Sequence, residues 1–193
     1  LMRTSRPDFA GGQPVNRMIA IPASTQDLLD KLEAVRLVCQ ETGCAQRYLG
    51  GDALSAIQQA TARMDAELNT SYGERFRAWL ERVYAEDLTL GVAMTDGKGD
   101  RSLRPSQQAN PDAYVRIVER RKDGVVLRGV KAIITGAPYM HELLVMPGRN
   151  LTSADADYAV CCAVPVDAEN LVLAARPAGR PGESAAKFSA RYG

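Results

Sequence analysis

The chain has 193 residues, of which 46% are hydrophobic and 24% are charged, and its formal net charge at pH 7 is +1. This composition is typical of a soluble globular protein with one domain or two small ones. The balanced charge gives no electrostatic basis for binding nucleic acid, and no apolar run reaches the roughly 20 residues that span a bilayer.

The first half of the chain has apolar residues at helical spacing. Ser24 or Thr25 is a suitable N-cap for a first helix, and Gly43 is a suitable end. Asp52 is the predicted N-cap of a second helix, and a third is predicted after 72–73. The residues expected to face a helix–helix core are Leu28, Leu32, Val35 and Cys39 in the first helix, Leu54, Ile57, Ala60, Thr61, Met64 and Leu68 in the second, and Phe76, Trp79, Leu80 and Val83 in the third.

After residue 90 the pattern changes from helical spacing to strand-like alternation. A turn at 122–124 between the runs 114–119 and 125–130 predicts a β-hairpin. Helices followed by strands predict an α+β fold, with a helical domain at 1–92 and a strand-rich domain at 93–193. Further strands are predicted at 143–146, 158–164 and 171–174.

A glycine-rich loop lies where the helical half meets the strand-rich half. Residues 94–102 read Met-Thr-Asp-Gly-Lys-Gly-Asp-Arg-Ser. Glycines let backbone N–H groups approach a ligand closely, and Lys98 and Arg101 can neutralise phosphate. Most clusters of Gly, Asp and Lys are solvated turns, so this loop alone does not identify a ligand. A second loop at 131–136 strengthens the ligand interpretation.

Several common enzyme classes are not supported by the sequence. There is no Gly-x-Ser-x-Gly motif, and the single histidine, His141, would have to serve every base role of a hydrolase. No Gly-x-Gly-x-x-Gly opens a βα unit, and the 94–102 loop lacks the Gly-Lys-Ser/Thr of a phosphate-binding P-loop. His141 and Glu142 could form an acid–base pair, but they flank a predicted strand, which favours a structural or surface role.

An ordered series of motifs resembles the flavoprotein family that contains the 4-hydroxybutyryl-CoA dehydratases and the 4-hydroxyphenylacetate 3-hydroxylases. The similarity runs from about residue 15 to the end of the chain. The matching segments are Met94–Arg101, Asn110–Glu119, Asp123–Ala132, Thr135–Gly136, His141–Glu142, Met146–Pro147, Asp155–Val160 and Val164–Pro165.

The resemblance implies an acyl-CoA-dehydrogenase-like architecture with a helical N-terminal domain, a middle β-barrel and a C-terminal four-helix bundle. This chain matches the first two parts, so it is expected to be the N-terminal portion of a protein at least twice as long. The resemblance also implies FAD as cofactor, and a histidine of the family's flavin segment is replaced here by Ile133. The residues that match flavin-contacting positions are Met94, Thr95, Asp96, Lys98, Gly99, Asp100, Arg101, Ile133, Ile134 and Thr135.

A cluster site is only partly matched. The dehydratases carry a [4Fe-4S] cluster with the pattern Cys-x-Gln-Arg-Cys, and this chain has Cys44, Gln46 and then Tyr48 in the place of the second cysteine. Tyrosine is a poor ligand for a thiolate-preferring cluster, so Cys44 is at most a single metal ligand. Gln46 and Tyr48 are the positions that the resemblance assigns to catalysis.

Two enzyme functions and one non-catalytic function remain open. The first is a flavin-dependent lyase or isomerase that acts on a hydroxyacyl- or enoyl-CoA thioester. The second is an oxidoreductase, a monooxygenase that uses FADH2 from a separate flavin reductase to hydroxylate a phenol, for which Tyr48 could supply a pocket hydroxyl. The fragment alone could also be a non-catalytic piece with an incomplete flavin site. The family implies a homotetramer, and the small number of cysteines favours a cytoplasmic location.

Overall fold

The computed structural model describes residues 2–5, 10–44, 47–97, 99–175, 182, 184 and 186–187. Three helices come before most of the strands, which confirms the predicted α+β content. Within the described residues, no helix is both long and apolar enough to cross a membrane. The elements are β1 (Arg3–Ser5), β2 (Pro14–Asn16), α1 (Thr25–Thr42), α2 (Arg47–Leu68), α3 (Tyr72–Ala85), β3 (Leu90–Ala93), β4 (Arg116–Arg120), β5 (Val125–Arg128), β6 (Glu142–Val145) and β7 (Cys162–Pro165).

Helix α1 has the predicted ends but a different buried face. The Ser24 hydroxyl accepts a hydrogen bond from the Asp27 backbone N–H, and Gly43 ends the helix with a φ of 73°. The predicted inward stripe is wrong in the described structure, because Leu28 and Leu32 are 44% and 45% exposed. The buried positions are Lys31 and Ala34. The face that packs against the rest of the molecule is therefore the one that carries Lys31 and Ala34, which the spacing of apolar residues does not indicate.

Helix α2 begins at Arg47, which corrects the predicted N-cap at Asp52. The glycines interpreted as a link, Gly50 and Gly51, lie inside its first turns and pack tightly. A Cβ atom at Gly50 would lie 2.8 Å from the Leu90 Cβ atom, and one at Gly51 would overlap the Met18 carbonyl oxygen. The predicted face is confirmed at its start, where Leu54 is fully buried, but Met64 and Leu68 are exposed.

Helix α3 matches its prediction most closely. It spans Tyr72–Ala85, and Leu80 and Val83 are fully buried. Phe76 and Trp79 pack against the same hydrophobic cluster. The amphipathic pattern was sufficient here because the helix covers one continuous core.

The strands form three small sheets within the described residues, rather than the closed barrel that was expected. Strand β3 pairs in parallel with β6, which pairs in antiparallel fashion with β7. Strands β4 and β5 form the predicted hairpin, and β1 pairs with β2. The strand predicted at 171–174 is absent from the described structure, and a 3-10 helix at Ser153–Tyr158 replaces the start of the one predicted at 158–164.

Strand β6 separates two hydrophobic clusters. Its Leu144 side chain joins the cluster built on the three helices, whereas Leu143 and Val145 join a second cluster with Ala93 and Met140. This division follows from the alternation of side chains along a strand. The first cluster therefore includes residues from both sides of position 92, and the domain boundary at 92/93 stays a prediction.

Candidate functional site

The two loops singled out by the sequence lie side by side. The chain leaves β3 at Ala93 and runs past the segment that follows the β4–β5 hairpin. Asp96 and Lys131 form an isolated antiparallel bridge. The Ala132 N–H donates to the Thr95 carbonyl oxygen at 2.8 Å, and the Gly97 N–H donates to the Val130 carbonyl oxygen at 3.3 Å. The structure thus brings the residues around 95–97 and 130–132 into one surface.

A buried ion pair fastens these loops together. The Lys131 ammonium contacts the Asp96 carboxylate, and both side chains are only 10% exposed. The same ammonium donates to the carbonyl oxygens of Met94 at 3.1 Å and Met146 at 2.8 Å. Asp96 is one of the residues predicted to contact the flavin, and in the structure its carboxylate pairs with Lys131. The pair therefore holds the loop surface in shape.

The exposed edge of this surface contains a strained residue. Ile133 has a φ of 61° and its side chain is 73% exposed. A β-branched residue rarely adopts this left-handed conformation, and such strain tends to occur at functional sites. Met94, at the start of the neighbouring loop, is also exposed. Thr135 lies two residues further along and is exposed as well.

The remainder of the glycine-rich loop is held by side chains that sequence reasoning missed. Arg149 donates to the carbonyl oxygens of Leu103 at 2.8 Å and Arg101 at 3.4 Å. The Asp100 carboxylate accepts hydrogen bonds from the Ser102 hydroxyl and N–H, which lower the pKa of Asp100. No sequence pattern links Arg149 to a loop nearly fifty positions earlier. Lys98 lies outside the described residues.

The cleft beside the ion pair is too small for a flavin. It has room for about one water molecule. Among the residues lining the cleft are Asp96, Tyr114, Lys131, Met146, Arg149 and Tyr158.

Of the predicted catalytic and metal positions, Tyr48 lies in the first turn of α2 and Cys44 precedes the helix. Cys44 is exposed, and Gln46 lies outside the described residues. The Tyr48 phenol hydrogen-bonds the Asp52 carboxylate one turn later, which raises the pKa of Tyr48. Within the described part of the chain, no group of three His, Cys, Asp or Glu side chains could hold a metal ion. A cluster ligand set is therefore not assembled by these residues.

Strand β3 connects the Tyr48 region to the loop surface. Gly50 packs against Leu90 at the start of the strand, and the glycine-rich loop follows Ala93 at its end. Four residues of strand extend over roughly 10 Å. Gly50 in α2 and the glycine-rich loop therefore lie at opposite ends of one short strand.

His141 and Glu142 have structural roles, as the sequence favoured. Glu142 is buried, accepts a hydrogen bond from the Trp79 indole N–H at 2.8 Å and pairs with Arg82, which raises the pKa of Arg82. The Nδ1 atom of His141 accepts a hydrogen bond from the Thr89 N–H at 2.9 Å. These contacts tie β6 to α3 and to the start of β3.

The fold as a whole matches solved enzymes of about three times its length. An archaeal 4-hydroxybutyryl-CoA dehydratase from N. maritimus superposes with a TM-score of 0.83 at 38% sequence identity, over 87% of this chain and 33% of that one. The oxygenase component of 4-hydroxyphenylacetate 3-monooxygenase, solved with FAD and 4-hydroxyphenylacetate, gives a TM-score of 0.68 over 86% of this chain and 33% of that one. Its 24% identity shows a likeness of fold.

The family follows from the sequence comparison. The chain belongs to the family described as 4-hydroxyphenylacetate 3-hydroxylase N terminal, which matches residues 2–193. A curated relative, the 4-hydroxybutyryl-CoA dehydratase/vinylacetyl-CoA-Δ-isomerase of Clostridium aminobutyricum, is 44% identical over 163 residues, which cover 84% of this chain and 33% of the relative. The chain therefore spans about a third of the length of the relatives that it matches.

Proposed function

We propose that this chain forms the N-terminal part of an FAD-dependent lyase or isomerase with acyl-CoA-dehydrogenase-like architecture. Its substrate is a hydroxyacyl- or enoyl-CoA thioester. The observation that supports this most is the pair of joined loops, 94–97 and 130–132, in a chain 44% identical to a dehydratase/isomerase of that substrate class. The division of the chain at 92/93, a homotetrameric assembly and a cytoplasmic location belong to the same proposal.

The loop surface fits a flavin that lies against its exposed edge. Met94 and Ile133 offer apolar contact for a flat ring, and the Thr135 hydroxyl can hydrogen-bond its polar edge. The Arg101 guanidinium is exposed and makes no ion pair with a described residue, so it can neutralise a pyrophosphate. When bound, FAD supplies electron transfer next to the thioester. The chain's own residues bind and orient it, while Lys131 and Arg149 keep the loops in place.

An iron–sulfur cluster does not fit the residues present. Cys44 supplies one thiolate, but the neighbouring position is Tyr48, whose phenol already bonds Asp52. A cluster of this kind needs thiolate or imidazole ligands. The proposed reaction therefore does not use an iron–sulfur cluster with Tyr48 as a ligand.

The second candidate is an aromatic monooxygenase that uses FADH2 from a flavin reductase. The observation that favours it is Tyr48, because a phenol that donates its hydrogen to Asp52 can still accept a hydrogen bond from the hydroxyl of a phenolic substrate. Its fold also resembles that of the oxygenase component described above. This alternative needs no cluster.

The flavin site is tested first by binding. FAD fluorescence quenching should give a dissociation constant that rises about tenfold in Thr135→Val and in Arg101→Gln, the loss of one good polar contact each. Arg121→Gln, an exposed change on the hairpin, is the matched control and should leave binding unchanged. Absence of binding in both the oxidised and the reduced state would remove both enzyme proposals.

The reaction is tested next with the two substrate classes. Conversion of 4-hydroxybutyryl-CoA without added reductase supports the lyase or isomerase. Oxygen-dependent conversion of 4-hydroxyphenylacetate with a flavin reductase supports the monooxygenase instead. FAD binding with neither conversion would leave the non-catalytic function of the fragment.

A further inference from the structure

A buried lysine lies under the ring of Tyr48. The Lys31 side chain on α1 is only 1% exposed. Its ammonium nitrogen lies 5.7 Å from the centroid of the Tyr48 ring, within the range of a cation–π interaction. Lysine is almost never fully buried unless it is paired, so this position requires a reason.

The groups around the ammonium hold it in place but do not use all three of its hydrogen-bond donors. It donates to the Ala20 carbonyl oxygen at 3.2 Å, the only hydrogen bond it makes to a described residue. The carboxylate of Asp52 acts on it electrostatically, while burial lowers the pKa of Lys31. Gly51 leaves the space that the ammonium occupies, because a Cβ atom there would lie 2.7 Å from Nζ.

Lys31, Tyr48 and Asp52 therefore form one arrangement across two helices. The Tyr48 phenol bonds Asp52 on α2, and the Tyr48 ring contacts the ammonium of α1. The ring is restrained at its face by a cation and at its hydroxyl by a carboxylate. A purely structural lysine stem would need only apolar contact and would not need its charge beneath an aromatic ring.

We propose that Lys31 is a positioning residue for Tyr48: its anchored ammonium sets the orientation of the ring and thereby of the hydroxyl. Lys31 does not touch the substrate, since it is buried. The consequence for catalysis rests on the second candidate under the proposed function, the monooxygenase, in which the Tyr48 phenol hydrogen-bonds the phenolic substrate. The positioning itself can be measured without turnover.

The first test is spectroscopic and uses the protein labelled with 13C-tyrosine. Tyr48 resonances are assigned by their loss in Tyr48→Phe. In Lys31→Met, which keeps the length of the stem but removes the charge, we expect these resonances to move while the remaining tyrosines stay in place. Lys122→Met in the exposed hairpin turn is the control. Lys31→Gln, which keeps a donor for Ala20, serves the same test if the methionine variant does not fold. Unchanged Tyr48 resonances in a folded uncharged variant would overturn the proposal.

The second test is a double-mutant cycle in the FAD-loaded enzyme. Lys31→Met should lower kcat about tenfold, within the range for loss of a desolvated cation–π contact, and should not change FAD binding. The same change should have no further effect in a Tyr48→Phe background. Independent, additive effects would overturn the positioning role. If Tyr48→Phe is fully active, Tyr48 has no catalytic use. If the Tyr48 resonances of the otherwise unchanged protein still respond to Lys31→Met, Lys31 nevertheless positions the Tyr48 ring.

Discussion

At the residue scale, Ile133 combines strain with exposure. An L-residue in the left-handed region loses about 1–2 kcal/mol, and β-branching adds to the crowding. The 73% exposed side chain recovers little of this by burial. A residue so placed is unfavourable for folding and is explained if its side chain meets a ligand.

Replacement of Ile133 separates stability from binding. Ile133→Asn places a residue that tolerates a positive φ at this position, and we expect the free energy of unfolding to rise by about 0.5–1 kcal/mol. FAD binding should weaken in the same variant. Urea unfolding and flavin titration measure the two effects. Val172→Asn, an exposed change without a positive φ, is the control and should leave both unchanged. A loss of stability in Ile133→Asn would show that the residue is not strained.

At the element scale, the start of α2 depends on two glycines whose purpose is hidden in the sequence. Glycine normally disfavours a helix, so Gly50-Gly51 indicated a link and Asp52 an N-cap. The two glycines are needed because α2 lies so close to Leu90 and Met18, which are distant in sequence, that no Cβ atom fits. Tertiary packing of this kind leaves no local signal.

The close approach can be tested with a matched pair of alanine variants. Gly51→Ala should lower the free energy of unfolding by at least about 2 kcal/mol, because the overlap with the Met18 carbonyl outweighs the gain of about 1 kcal/mol in helix propensity. Gly124→Ala in the hairpin turn, where nothing lies within 4 Å of the added atom, should change stability by less than about 0.5 kcal/mol. Denaturant unfolding measures both. A stabilised Gly51→Ala would mean that α2 is not packed this closely.

Other elements show the same division between local and distant causes. The ends of α1, the buried face of α3 and the β4–β5 hairpin were predicted because caps, amphipathic spacing and a turn signal are local. The prediction of the buried face of α1 was wrong, because tertiary contacts alone determine that Lys31 and Ala34 are the buried residues. For the candidate site, the sequence indicated both loops, but the Asp96–Lys131 pair that joins them needs the fold.

Asp155, in the 3-10 helix Ser153–Tyr158, contacts a second 3-10 helix at Pro105–Gln107, and its carboxylate makes the stability of the fold depend on pH. Its buried carboxylate accepts hydrogen bonds from the N–H and hydroxyl groups of Ser106 and Thr152, which hold the pKa of Asp155 well below its usual range. A carboxyl with a lowered folded-state pKa adds stability above its unfolded pKa of about 4, and this stability is lost as the pH falls below that value.

Asp155→Asn should therefore reduce stability at neutral pH and flatten its fall in acid. We expect the melting temperature of the wild-type protein to drop more steeply between about pH 5 and pH 3 than that of the variant. The slope should not vanish, because Asp65 and Asp112 also have lowered pKa values. Glu169→Gln, an exposed change, serves as control. Parallel curves for wild type and Asp155→Asn would contradict the role of this carboxylate.

At the scale of the whole molecule, strand β6 couples the helices to the strands that carry the loop surface. Leu144 faces the helical cluster, Leu143 and Val145 face the second cluster, and Glu142 binds Trp79 of α3. Because one strand contributes to both clusters, the helices and the loop surface are expected to lose structure together.

A cavity at Leu144 tests this coupling. Leu144→Ala removes a side chain that is 2% exposed, and we expect it to lower the free energy of unfolding by about 2–5 kcal/mol. Trp79, the single tryptophan, reports the contact between α3 and β6 by fluorescence, and far-UV circular dichroism reports the helices. Both transitions should move to lower urea by the same amount, whereas Val125→Ala on the exposed hairpin should move neither. A shift in fluorescence alone would mean that the helices unfold as a unit independent of β6. The Tyr48 region and the loop surface would then be held by separate parts of the molecule.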